Sequence, residues 1–184
     1  MDAVGGQGDH LGGPYPQRRQ YDKDRIIPFP DGGCAVRSLE QSLELPFRQA
    51  AWNVRLHRLQ GQALKAEGFA KLGGKFLAHY AEEMGWVEKM QERILDLGGK
   101  PVFEGCKCRE IIEAPVEYIK ADLEIQEKGV PMLRDCALTL ADDPLTYDIL
   151  KAYLADEEED LYWLRGQLEL CAKIGLQNYI ATLI

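Results

Sequence analysis

A chain of 184 residues, 46% hydrophobic and 28% charged, is long enough for one domain with a substantial core and has the composition of a soluble globular protein. Its net charge of −8 argues against a surface made for nucleic acid or anionic membrane, and would suit a protein that attracts cations. No stretch reaches the ~18–20 apolar residues of a membrane span, and the chain start lacks the basic-then-apolar pattern of a secretory signal, Arg18-Arg19 being followed by polar and charged residues. A cytoplasmic protein with no membrane insertion and no nucleic-acid partner is expected.

Residues 1–36 are rich in Gly and Pro and lack periodicity, so they are read as an extension rather than a domain. They carry Tyr15, Tyr21, Ile26, Ile27 and Phe29, more apolar side chains than a solvating tail needs. Docking on the chain's own bundle and docking on a protein partner both remain open. The domain expected is 37–184.

From about residue 38 the pattern is helical. The first helix runs to about Ala66, with Leu45, Trp52, Leu56, Leu59 and Ala63 at helical spacing. Pro46 lacks an N–H and must lie in its first turn or mark a kink. The second helix runs from about Glu67 to Leu97 and is closed by Gly98-Gly99 and Pro101. Gly73-Gly74 is a weak point within it. The connection after it holds Cys106-Lys107-Cys108, one residue short of a CxxC knuckle; two loop thiols and a soft-metal or redox pair are both open readings. The five cysteines, Cys34, Cys106, Cys108, Cys136 and Cys171, are too scattered for a disulfide framework and fit a reducing compartment. A third helix covers about Pro115 to Leu140, with Gly129 and Pro131 as kink candidates. Asp143 and Pro144 read as N-cap and first residue of a fourth helix ending near Ala172, and LQNYIATLI as a short fifth. Nothing alternates with period two over a useful length. The fold class is all-α, a four-helix bundle with a short C-terminal helix.

Within such a bundle an acidic residue on an apolar stripe needs a reason. His79, Glu83 and Trp86 share one face of the second helix. Glu124 is placed on the third-helix stripe with Val116, Ile119 or Lys120, and Leu123. On the fourth, Glu157 lies among Leu150, Tyr153, Leu154, Leu161 and Leu164, with Asp160 one turn on. Ordinary surface acids and a converging set that needs a cation or shared protons are the two readings.

EEMGWVEKMQERILDLGGKP and YLADEEEDLYWLRGQLELCAKIGLQNYIATLI resemble the second and fourth helices of bacterioferritins, in the ferritin-like family. The resemblance covers residue 38 to the C-terminus. It implies a four-helix bundle that pairs as a dimer, a hollow multi-subunit shell and iron storage. The family's di-iron site uses a Glu on each of two helices and Glu-x-x-His on each of the other two. By that resemblance Glu83, Glu124, Glu157 and Asp160 are the metal candidates, with Trp86 and Asp160 standing where the pattern has histidine and Ala50 where it has the first-helix Glu. The site is therefore expected to be degenerate, with ferroxidase activity weak or lost. His57 and His79 are either core histidines or groups that point to the same centre. Bacterioferritin also holds haem b between two subunits through one Met from each. Met84 is the matching residue, and Arg55 and Arg58 are candidates for pairing with its propionates.

The function expected is a bacterioferritin-like subunit for iron handling that binds haem at a dimer interface, in a homo-oligomer or beside an active relative. A scaffold subunit using the bundle surface and the extension is the first alternative. An active di-iron oxidase with a rearranged ligand set that includes His57 and His79 is the second.

Overall fold

The computed structural model describes residues 26–28, 34–36, 39–102 and 110–184. The Cys106/Cys108 pair and most of the extension lie outside the described residues. Two three-residue strands, β1 (Ile26–Pro28) and β2 (Cys34–Val36), pair antiparallel with Ile26 opposite Val36. Strands this short carry no readable alternation, which is why periodicity does not reveal them. Five helices follow: α1 (Leu39–Ala66), α2 (Ala70–Asp96), α3 (Pro115–Thr139), α4 (Pro144–Ile174) and α5 (Leu176–Thr182). They form the expected all-α bundle. α1 packs along α2, α3 packs along α4, and the two hairpins close on each other. No described helix is long and apolar enough to cross a membrane.

Local chemistry explains the joints. Asp143 caps α4 by accepting from the Thr146 N–H at 2.8 Å, and Pro144 follows as first helical residue. Arg93 on α2 fastens that cap, with Nη2 at 2.7 and 2.9 Å from the two Asp143 oxygens and Nε donating to Thr146 Oγ1 at 2.9 Å. Gly73 is not a weak point. A Cβ there would lie 2.5 Å from the Gly61 carbonyl oxygen, and one on Gly61 would lie 2.9 Å from that of Gly73. The two glycines are what lets α1 and α2 approach backbone to backbone. Gly175, at φ +81°, provides the turn between α4 and α5. Pro46 lies inside α1 and Pro131 inside α3, and each helix continues through its proline.

The core is split in two. One cluster holds Leu43, Phe47, Ala50, Met90, Ile94, Leu140 and Leu150; the other holds Leu64, Leu72, Phe76, Ile119, Leu164 and Tyr179. Between them, at mid-length of all four long helices, lies a buried polar layer: Asn53, His57, His79, Glu83, Asp122, Gln126, Glu157 and Asp160.

Two expected faces are corrected. On α1 the inward stripe is Leu43, Phe47, Ala50, Asn53, His57 and Leu64, whereas Leu45 and Leu59 are exposed. The polar layer interrupts the true stripe, so counting apolar residues selects its neighbour. On α3 the inward stripe is Ile119, Asp122, Gln126, Val130 and Leu133, and Glu124 is exposed. Glu124 is two residues from Asp122, about 200° around the helix.

Candidate functional site

The polar layer is built around His57. Its Nδ1 lies 2.9 Å from Glu83 Oε2 on α2 and its Nε2 lies 3.1 Å from Asp122 Oδ1 on α3, all three side chains being buried. One ring therefore bridges two acids from two other helices. Burial works against a charged His57, but Asp122 and Glu83 outweigh it and hold the imidazole pKa well above its usual range. Glu83 in turn is raised: burial is the main cause and the Asp122 charge adds to it, partly offset by His57.

Glu157, one turn after Tyr153 on α4, has no basic neighbour of this kind. Burial and the Glu83 charge push its pKa to about 8, against the hydrogen bonds donated by Tyr153 and Gln126. At neutral pH it is mainly a carboxylic acid. Asp160, a turn further, meets His79 Nε2 at 2.9 Å and Lys75 Nζ at 3.5 Å, both from α2. The His79 approach is off the hydrogen-bonding direction of the ring, so the contact is close but leaves Nε2 without an aligned acceptor. Aromatic rings wall the layer. Phe76 packs edge-on to His79, Tyr118 and Trp163.

Of the four acids expected to converge, Glu83, Glu157 and Asp160 are in the layer and Glu124 is not. Asp122 takes the place on α3, a residue that the sequence pattern does not single out. Its only sequence signal is its position three residues after Ile119 and four before Gln126, on a stripe the apolar count does not favour. Trp86 fills space beside the layer, tilted by 35° against the Tyr153 ring with centroids 5.8 Å apart and donating to Asp156 Oδ2 at 2.7 Å. His57 and His79 do reach the common centre, with ring centroids 5.9 Å apart.

A pair of metal ions does not fit this arrangement. With the side chains as they stand, His57 between two of the acids, no three His, Cys, Asp or Glu side chains among the described residues form a group able to hold a metal ion. Glu83 and Asp122 already share an imidazole, Asp160 faces His79 and Lys75, and Ala50 offers no ligand atom.

Met84 lies elsewhere. It is half-buried on the outer face of α2, in an open concavity of about 660 Å³ floored by Ala51, Val54 and Val87 and rimmed by Arg55, Arg58 and Tyr80. The Arg58 guanidinium lies 5.4 Å from the Tyr80 ring centroid.

Residues 49–174 match the ferritin-like domain of the Ferritin family. The chain is 34% identical over 124 residues to a bacterial ferritin of Pseudomonas aeruginosa, covering 64% of this chain and 77% of that one. It is 29% identical over 120 residues to the bacterioferritin of Streptomyces coelicolor, covering 64% and 72%. Its fold superposes on the bacterioferritin of Rhodobacter capsulatus with a TM-score of 0.73 at 24% identity, over 79% of this chain and 92% of that one. That crystal structure has a metal-free dinuclear site and a haem iron in a crystallographic special position. A bundle of this topology, with a polar layer at mid-length and relatives of this kind, places the chain in the ferritin-like family as a bacterioferritin-like protein.

Proposed function

We propose that this chain is a subunit of an oligomeric iron-storage assembly, that it pairs through the outer α1–α2 face and binds haem b there through Met84, and that its bundle centre does not oxidise iron. The observation that carries the haem reading is the concavity around Met84. Its volume is in the range of small-molecule and cofactor sites, its floor is apolar, and its sulfur-bearing side chain is flanked by two arginines. Arg55 and Arg58 at its rim are the kind of side chain that pairs with haem propionates. The Rhodobacter capsulatus relative, with its haem iron in a special position, supports the same geometry. The non-oxidising reading rests on His57, which occupies Glu83 and Asp122 together. Such a chain would serve as the haem-bearing member of a shell, alone or beside an active relative.

The test is an absorption spectrum with a particle-size measurement on the same sample. A haem band at one haem per two chains in a large particle is expected, lost in Met84→Leu with helical content unchanged. An unchanged band in Met84→Leu would remove Met84 as ligand. A colourless wild-type protein would favour a scaffold subunit.

A further inference from the structure

We propose that His57 is a built-in replacement for a metal ion, and that its ring, rather than a shortage of ligands, keeps divalent cations out of the bundle centre. The proposal deepens the non-oxidising part of the function above and is independent of haem at Met84.

The geometry carries it. A cation shared between Glu83 and Asp122 would lie between the two carboxylates that His57 now joins at 2.9 and 3.1 Å, so ring and ion compete for the space between the same two groups. Both ring nitrogens are used, which leaves no lone pair with which His57 could itself become a ligand without swinging away from an acid. The ring is held in place from the side by Phe76 and His79, at centroid distances of 5.6 and 5.9 Å.

Ligand atoms are not lacking. Glu83 Oε1, Asp122 Oδ2 and Asn53 Oδ1 are buried acceptors with no protein donor. Buried acceptors normally find a partner, and three oxygens from three helices in one layer are a hard-cation donor set in composition. Two small concavities between α1 and α3, of about 40 and 30 Å³, both border Asn53; one is lined by His57 and Asp122, the other by Gln126 and Glu157. Each has room for about one water, so an ion reaching the layer this way must shed its water shell, and on the first route the ring is what it meets.

The experiment titrates Co²⁺ into the full chain, stripped of metal, and reads ligand-field absorption and the shift in melting temperature. In wild type no signal that depends on Glu83 is expected, as judged against Glu83→Gln. In His57→Ala one Co²⁺ per chain is expected, lost again when Glu83→Gln is added, with a melting temperature that rises with Co²⁺. Addition of imidazole should displace the ion by refilling the space. His57→Gln, closer in volume, serves in the same way if His57→Ala does not fold. A Glu83-dependent Co²⁺ site in wild type would overturn the proposal. So would folded His57 variants that bind Co²⁺ no better than wild type. In that second case the non-oxidising reading stands, with ligand shortage as its cause, whereas a wild-type site that also oxidises Fe²⁺ removes both.

Discussion

The Cys136 thiol on α3 donates to the Ser42 carbonyl of α1 across 3.6 Å. Ser42 is the residue four before Pro46, and proline has no N–H to give it. The helix thus carries proline in its interior because a neighbouring helix supplies the missing donor. Burial pushes the Cys136 thiol up to about 11, so it stays protonated and able to donate. Two packed elements are being joined through a defect in one of them.

A double-mutant cycle isolates that joint. Cys136→Ala should cost about 0.5–1.5 kcal/mol in urea unfolding. In a Pro46→Ala background the helix regains a backbone N–H that can reach the Ser42 carbonyl. The same change should then cost less, by a coupling of about 0.5 kcal/mol or more. Equal costs in both backgrounds would show that Cys136 acts only by filling space.

The α1–α2 crossing separates adjacent glycines. Gly73→Ala places a Cβ 2.5 Å from the Gly61 backbone oxygen, which cannot move without moving α1. It should destabilise by about 1–3 kcal/mol. A Cβ on Gly74 meets nothing within 4 Å, so Gly74→Ala should stabilise by about 0.5–1 kcal/mol through helix propensity alone. Thermal melts of the two variants should move in opposite directions.

Arg93 and Asp143 form a buried pair that also caps α4. Arg93→Met leaves the Asp143 carboxylate without its guanidinium and should cost about 3–5 kcal/mol at neutral pH. Burial alone would raise the Asp143 pKa, but the hydrogen bonds of Thr146 and Arg93 prevail and lower it. A lowered folded pKa means stability that is present above the ordinary aspartate range and lost as pH falls through the folded value. The gap between wild type and Arg93→Met should therefore close on acidification below about pH 4. A gap that stays constant with pH would show that Arg93 contributes by packing.

The helices were legible because their ends are written in local chemistry. Asp143-Pro144 starts α4, and Gly175 with its positive φ ends it. The site was legible where the family motif preserves a carboxylate, at Glu83 and Glu157. It was not legible at Asp122 or on the inward face of α1. There the buried residues are polar, and hydrophobic periodicity treats a polar residue as exposed. Asn53, His57 and Gln126 remove just those apolar marks by which an inward face is recognised. Tertiary pairing supplies the reason for the burial of His57, between Glu83 and Asp122, and of Gln126, which bonds Glu157, and no local pattern encodes that.

Glu157 should set the alkaline limit of stability. Its folded pKa of about 8 stands above its ordinary value of 4.5, because burial and Glu83 both disfavour the carboxylate. The folded state therefore binds a proton that the unfolded state has released over this window. The sign follows: the contribution is complete below about pH 4.5, declines as pH rises, and is exhausted once pH passes about 8. The limiting slope for one such group is about 1.4 kcal/mol per pH unit. Glu83 and His57 are also raised and act in the same direction. Glu157→Gln keeps an amide near the Tyr153 hydroxyl and has nothing to ionise. Its unfolding free energy should fall less steeply than that of wild type between pH 5 and about pH 8, and the variant should be the more stable of the two at pH 9. Parallel curves for the two proteins would mean that Glu157 is already ionised in the fold.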